Sequence, residues 1–367
     1  MKVFYDSQIF SAGQYGGISR YFVELAMRLG KFPDTDVRIV SPIIRSPILS
    51  DYRKQISTVG IDLSSLPKIP DRVARNINEF LFSGYTALTV PDIIHETYSW
   101  PQRFAPRSSK VVATFHDAIP ERLPHLYPEL KKLHGERQSA LSRADSVICV
   151  SESTRKDLLE YYDVDPGRVT VVLLGSSISP DSGAPMDIGA PFFLHVGARY
   201  PYKNFNRLIR AFGEARLYRT HKLVSFTSKA FGETEFEAME QAAVPRASVI
   251  RVGGDDRQLA RYYAGAVALV FPSMYEGFGI PLVEAMRCGC PIVTSNTTSL
   301  PEVAGDAAIY IDPDDVGSIS EALLSIASSG DIRDRLIAAG IARAGRFSWD
   351  RCAAETFAVY KNVLAPR

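Results

Sequence analysis

Short, β-branched apolar runs alternate with amphipathic helical ones along this chain, and the alternation stops and restarts once. "KVFYD" leads through a turn into "ISRYFVELAMRLGK", and the runs "VRIVSP", "DIIHET", "KVVATFHD", "DSVICVS" and "VTVVLLG" continue the texture. Apolar strands that each feed a loop and a helix predict an open parallel sheet with covering helices. Residues 176 to 191, "SSISPDSGAPMDIGAP", have no apolar period and read as an interdomain linker. The pattern then restarts with the strands "FFLHVGA", "KLVSFTS", "SVIRVG", "VALVFPS", "PIVTSN" and "AAIYID". The expected fold is α/β, with two tandem Rossmann-like domains at residues 1–180 and 181–347. A last helix within residues 348–367, "WDRCAAETFAVYKNVLA", has no strand after it and is expected to cross back onto the first domain.

A length of 367 residues suits two such domains. Lys+Arg at 42 against Asp+Glu at 41 leaves a net charge of +1, which argues against a general polyanion binder. Cys149, Cys288, Cys290 and Cys352 are too few and scattered for a disulfide framework. The C-x-C at Cys288 and Cys290 lacks the second pair or nearby histidine of a metal site. "MKVFYDSQIF" has no signal-peptide apolar core, and no stretch approaches the ~20 apolar residues of a spanning helix. These features predict a cytoplasmic protein able to rest on a membrane surface. The aspartate pairs "DTD", "DVD" and "DPDD" sit where turns are expected and read as turn residues, not metal ligands.

The stretch "PSMYEGFGIPLVEAMRCG" joins a strand end, a glycine loop and a helix start, the place where open α/β sheets bind ligands. Backbone N–H groups around Phe278, Gly279 and Ile280 can donate to an anionic or hydroxyl-rich ligand. Gly277 and Gly279 permit close backbone approach, and Glu276 and Glu284 can each grip a vicinal diol. Two carboxylates eight apart would alone read as a solvated loop residue and a helix-end charge. The intervening "GFGIPLV" makes the match far more specific.

"PSMYEGFGIPLVEAMRCGCPIVTSNTTSLPEVAGDAAIYIDP" strongly resembles the donor-site segment of the retaining glycosyltransferases of family 4, which have the GT-B fold. The resemblance runs from "YGGISRYF" to "FSWDRCAAETF", densest in the second half. It implies two domains facing a cleft, the first taking the acceptor and the second the nucleotide sugar. It further implies that Glu276 lies against the transferred sugar, that the following amides bind sugar hydroxyls and phosphate, and that Glu284 holds the ribose. A departing nucleoside diphosphate develops charge, and Arg199 and Lys203 in "HVGARYPYKNFNRL" are the cations placed to meet it. Many family members carry arginine where this chain has Ala198, so Arg199 is expected to take that role.

In the first half, Gly16 and Gly17 open a helix and can close over the diphosphate or acceptor. His116 and Asp117 in "VVATFHDAIPE" end a strand, where His116 can touch the sugar or position the acceptor hydroxyl and Asp117 can orient it. The "HD-x-x-PE" pattern recurs in a subset of the family that includes bacterial mannosyltransferases of surface-polysaccharide assembly. The resemblance thus implies a metal-independent, retaining hexosyltransferase that needs no cofactor. GDP-mannose is the leading donor, with UDP-sugars as competitors, and a glycan on a polyprenyl diphosphate is the acceptor. An epimerase of the same fold, or a non-catalytic nucleotide-sugar-binding partner, are the rival readings. "KIPDRVARNINEFLFSGYTAL" combines Lys68, Arg72 and Arg75 with Ile77, Phe80, Leu81 and Phe82, and reads either as a helix able to lie on an anionic membrane surface or as an ordinary core-facing helix beside a solvated face.

Overall fold

A computed structural model describes the chain except residues 12–15, 65–69, 100, 101, 103, 104 and 367, and only the backbone of residues 71 and 72. Its contacts divide the chain into two compact units: Met1–Gly175 with Ser348–Arg367, and Ser176–Phe347.

The first unit holds seven strands: β1 (Lys2–Tyr5), β2 (Asp36–Ile44), β3 (Thr58–Asp62), β4 (Ile93–Glu96), β5 (Lys110–Phe115), β6 (Ser146–Cys149) and β7 (Val169–Val171). They form one sheet in the order β3-β2-β1-β4-β5-β6-β7, and its paired strands run parallel. The second unit holds β8 (Phe192–Val196), β9 (Lys222–Phe226), β10 (Val249–Val252), β11 (Ala268–Phe271), β12 (Ile292–Ser295) and β13 (Ala308–Ile311). Their order is β10-β9-β8-β11-β12-β13, again parallel. The chain is therefore α/β with two doubly wound units. In each sheet the strand order reverses once, between β1 and β4 and between β8 and β11. Loops leaving the carboxyl ends of strands diverge at such a point and open a crevice for ligand.

Helical periodicity covers these sheets. In Phe205–Glu214 the buried Phe205, Leu208, Ile209 and Phe212 recur at helical spacing and pack with Phe193, Val270 and Val293 from the strands. The final helix, Trp349–Leu364, starts at Ser348, whose side chain accepts the Arg351 N–H, and it belongs to the first unit. It packs against the helix Gly17–Leu29. A Cβ on Gly175 would fall 2.3 Å from the Trp349 nitrogen, so only glycine lets the returning helix begin so close to that strand exit.

The helix Asp71–Thr89 separates the aromatic residues of "INEFLFSGY". Phe82 faces inward, as the core-facing reading has it, and is buried with Phe4, Val40 and Ile94 on the sheet. Phe80 and Leu88 are 79% and 88% exposed, and Val73, Ile77 and Leu81 are exposed with them. At about 100° per residue these five share roughly a third of the helix circumference. The apolar arc of this helix is thus wider than the sheet covers. Lys68 and the Arg72 side chain lie outside the described residues, while Arg75 is exposed beside Glu79 at 3.7 Å.

Candidate active site

Lys203 and Glu276 stand 73 residues apart in sequence, yet their Nζ and Oε1 atoms lie 2.5 Å apart in the second unit. The strand order explains the meeting, because β8 pairs directly with β11 and the loops after them lie side by side. The Met274 N–H donates to the Tyr202 carbonyl at 2.8 Å, and Asn204 Nδ2 donates to the carbonyls of Pro272 and Pro313 at 3.1 and 2.7 Å. Asn204 sits in the left-handed region at φ 62°, a conformation its short amide tolerates, which turns the loop into the next helix. The Lys203 ammonium also lies over the Phe271 ring at 4.7 Å. Its side chain is 13% exposed and that of Glu276 is 12% exposed, so the pair is poorly screened but still reached by solvent.

The loop after Glu276 is held from below. The Glu276 N–H donates to Thr298 Oγ1 at 3.2 Å, and the Ser299 hydroxyl donates to the carbonyls of Glu276 and Phe278 at 2.8 and 3.0 Å. Gly279 caps the helix Ile280–Arg287 at φ +98°, and a Cβ there would press on Leu300 at 3.0 Å. Pro281 consequently falls at the second helical position, and Glu284 lies just past the first turn. The N–H groups of Phe278, Gly279 and Ile280 have no hydrogen-bond partner among the described residues. Three consecutive unpaired donors at a helix start, one loop from an ammonium, are chemically able to donate to a phosphate or a sugar hydroxyl. Glu284 is buried, and the Tyr263 hydroxyl donates to its Oε2 at 2.9 Å.

Arg199 is not gathered into this pair. Its Nε donates to Glu235 Oε1 at 2.8 Å, and Nη2 donates to the carbonyls of Lys229 and Ala230 at 3.0 and 2.6 Å. The guanidinium also lies over Phe231 at 4.7 Å, with its side chain 2% exposed. No hydrogen bond or ion pair joins it to Lys203 or Glu276 among the described residues. The loop after β9 thus holds Arg199, while Lys203 faces the loop after β11.

In the first unit Gly16 and Gly17 begin the helix Gly17–Leu29, with Gly16 as its cap and Ser19 closing the turn at 2.9 Å. His116 follows β5, its ring edge-on to Tyr21 at 5.3 Å, with its buried Nε2 lacking a partner among the described residues. Burial pushes its pKa down to about 4, Asp117 opposing and Arg137 adding to the shift, so the ring is neutral at physiological pH. The Asp117 carboxylate accepts the Ile119 N–H at 3.2 Å and faces Arg137 Nη2 at 3.4 Å. Arg137 also donates to the Asp117 carbonyl at 3.0 Å and to Glu121 Oε2 at 3.0 Å. Asp117 is therefore bound into a buried ionic cluster whose arginine carried no motif in the sequence.

Two histidines are buried completely. His195 on β8 has no partner for either ring nitrogen among the described residues, and its pKa is pushed down to about 3 by burial, then by Lys203 and Arg199. His95 on β4 has Tyr360 Oη at 2.6 Å and Thr114 Oγ1 at 2.7 Å, and burial, then His116, pushes it down to about 3. The unfolded chain takes up these protons below about pH 6.5, whereas the folded chain does not. Stability from the neutral rings is whole above that pH and is lost as pH falls toward 3, by up to about 1.4 kcal/mol per pH unit for each. Urea midpoints should therefore fall between pH 7.5 and 5, and His195→Phe should flatten part of the slope. An unchanged profile in that variant would remove His195 from the account.

Two family models match the chain, "Glycosyltransferase Family 4" over residues 15–176 and "Glycosyl transferases group 1" over residues 185–343. The O-antigen chain mannosyltransferase B of Escherichia coli is 31% identical over 283 residues, spanning 72% of this chain and 74% of that protein. The chain belongs to the family 4, group 1 glycosyltransferases, and its two doubly wound units are the GT-B fold. The serotype-specific mannosyltransferase WbdA of Escherichia coli is 29% identical over 262 residues, 65% of this chain, which spans only 32% of WbdA. Among solved structures, the sucrose-phosphate synthase of Thermosynechococcus elongatus superposes with a TM-score of 0.79 over 99% of this chain and 98% of that one. At 19% identity that likeness speaks for the fold alone.

Proposed function

We propose that this glycosyltransferase is retaining, and that it moves mannose from GDP-mannose to a hydroxyl of a lipid-linked glycan in bacterial polysaccharide assembly. The observation that carries the reading is the Lys203–Glu276 pair beside the unpaired N–H groups at the start of the helix Ile280–Arg287. Mannose is favoured by relatives that are described as mannosyltransferases. The nucleotide sugar binds the second unit, with Glu284 on the ribose, Lys203 and the 278–280 amides on the diphosphate, and Glu276 against the sugar. The first unit supplies Gly16 and Gly17 to close over the diphosphate or acceptor, and His116, oriented by Asp117, to the acceptor hydroxyl.

In the reaction the bond from the anomeric carbon to the phosphate oxygen breaks, and the acceptor oxygen attacks from the same face. The acceptor proton passes to the departing phosphate, whose charge Lys203 and the helix amides stabilise. Those groups supply the cationic work, so turnover should survive EDTA. The test is release of GDP from GDP-mannose, in EDTA, with and without acceptor glycan, alongside the corresponding UDP-sugars. Acceptor-dependent release with an α-linked product supports the reading. Acceptor-free conversion of the sugar identifies an epimerase, and binding without turnover identifies a non-catalytic partner.

The acceptor's lipid places the reaction at a bilayer, and the exposed arc of the helix Asp71–Thr89 is the surface we assign to it. Phe80, Leu81 and Leu88 enter the interface, and the exposed Arg75 meets anionic headgroups. No described helix is long and apolar enough to cross a membrane. Sedimentation with phosphatidylglycerol vesicles should show salt-sensitive binding that Phe80→Glu with Leu88→Glu abolishes. Absence of binding by the unaltered chain would end the surface role.

A further inference from the structure

The adjacent tyrosines Tyr262 and Tyr263 differ entirely in use. Tyr262 packs its ring edge-on against Phe192 and Phe226 at 5.9 and 5.6 Å, an apolar contact to the sheet. Tyr263 is fully buried, and its hydroxyl donates to Glu284 Oε2 at 2.9 Å. We infer that Tyr263 is a positioning residue for donor binding, holding the Glu284 carboxylate in the orientation that accepts the two ribose hydroxyls. The inference rests on the reading that Glu284 holds the ribose.

The placement of Tyr263 is built in from several directions. Its helix, Asp256–Gly265, starts at Asp255, whose carboxylate accepts the Gln258 N–H at 2.8 Å. Leu259, Ala260 and Tyr263 form the buried face of that helix, which packs against Ile280–Arg287. The segment before β8 clamps the other side: Met186 N–H donates to the Arg261 carbonyl, and Arg261 Nε donates to the Ala184 carbonyl, both at 2.8 Å. A Cβ on Gly265 would lie 2.2 Å from the Met186 carbonyl oxygen, so the clamped segment runs directly against the helix end. The phenol is thus delivered to Glu284 on a rigid support.

A carboxylate at the end of a two-carbon stem rotates about its last torsion with little preference. A vicinal diol is gripped only when both carboxylate oxygens lie in the plane of the two hydroxyls. Tyr263 bonds one oxygen and thereby fixes that plane before the nucleotide arrives, so less orientational freedom is lost on binding. Burial raises the Tyr263 pKa well above its ordinary value, with the Glu284 charge adding, so the phenol stays protonated and always donates. Because nucleotide is held in ground and transition states alike, the effect belongs in affinity and not in turnover.

The experiment titrates GDP and UDP into the full chain and into Tyr263→Phe, Glu284→Gln and the double variant, with steady-state kinetics on each. Tyr263→Phe removes one oxygen and keeps the ring. It should weaken the tighter nucleotide about tenfold, raise the donor KM in proportion and leave kcat unchanged. In the Glu284→Gln background the same change should add little further loss, since the tyrosine acts through that carboxylate. If Glu284→Gln weakens nucleotide and Tyr263→Phe does not, the inference is overturned and the ribose reading stands. An equal further loss in the double variant makes Tyr263 a general packing residue and also overturns it. Unchanged affinity in Glu284→Gln removes the ribose reading and this inference with it. If Tyr263→Phe does not fold, the double variant, with a neutral amide facing the ring, still reports against Glu284→Gln alone.

Discussion

Lys203→Ala is expected to lower kcat by about 10²- to 10³-fold, or ~2.7 to 4 kcal/mol, the scale for losing one preorganised electrostatic stabiliser. The ammonium lies against Glu276 in a site where both side chains are nearly enclosed, and charge on a departing diphosphate would be met there with little screening. The alanine also removes the stem from the Phe271 ring, so Lys203→Met is the sharper variant. It keeps most of the apolar contact and deletes the charge. Similar losses in both variants locate the effect in the ammonium. Near-normal kinetics in Lys203→Met would return this lysine to a structural part.

The second large effect separates the two glutamates. Glu276→Gln should lower kcat by about 10²-fold, because positive charge develops at the anomeric carbon as the phosphate leaves. Free nucleoside diphosphate should bind this variant at least as tightly as the unaltered chain. Lys203 donates to Glu276, and a phosphate at this site would compete with that carboxylate for the ammonium. The amide carries no charge, so that competition disappears. Glu284→Gln should do the reverse, raising donor KM by ~10- to 100-fold with kcat nearly unchanged, the scale for a hydrogen bond to a charged group. Parallel titrations and kinetics decide it, and equal losses of nucleotide affinity in the two variants would sink the division of labour.

Alternating strand and helix periods and the break at residues 176–191 were enough to determine two doubly wound units, and the "EGFGIPLVE" motif marked the loop of the candidate site. Those signals are local: side-chain alternation, helix start preferences and the freedom of Gly279 act over a few residues. Structure located the boundary of the second unit at Ser176, and only contacts across the fold show where a linker begins to belong to a neighbour. Pairing of Lys203 with Glu276, 73 positions apart, depends on β8 lying beside β11, an adjacency that no short window contains. Arg199 and Lys203 look equivalent along one loop, but Arg199 meets Glu235 and Phe231 after β9 while Lys203 meets Glu276 after β11. Phe80 and Phe82 sit two positions apart on one helix and face opposite ways, because the sheet fixes which side is inside. Tyr263 has no motif at all, and its meaning comes from where the helix Ile280–Arg287 carries Glu284. Local sterics choose the elements, but which side chains become partners is set by strand order and packing, where residues far apart in sequence compete for the same charge.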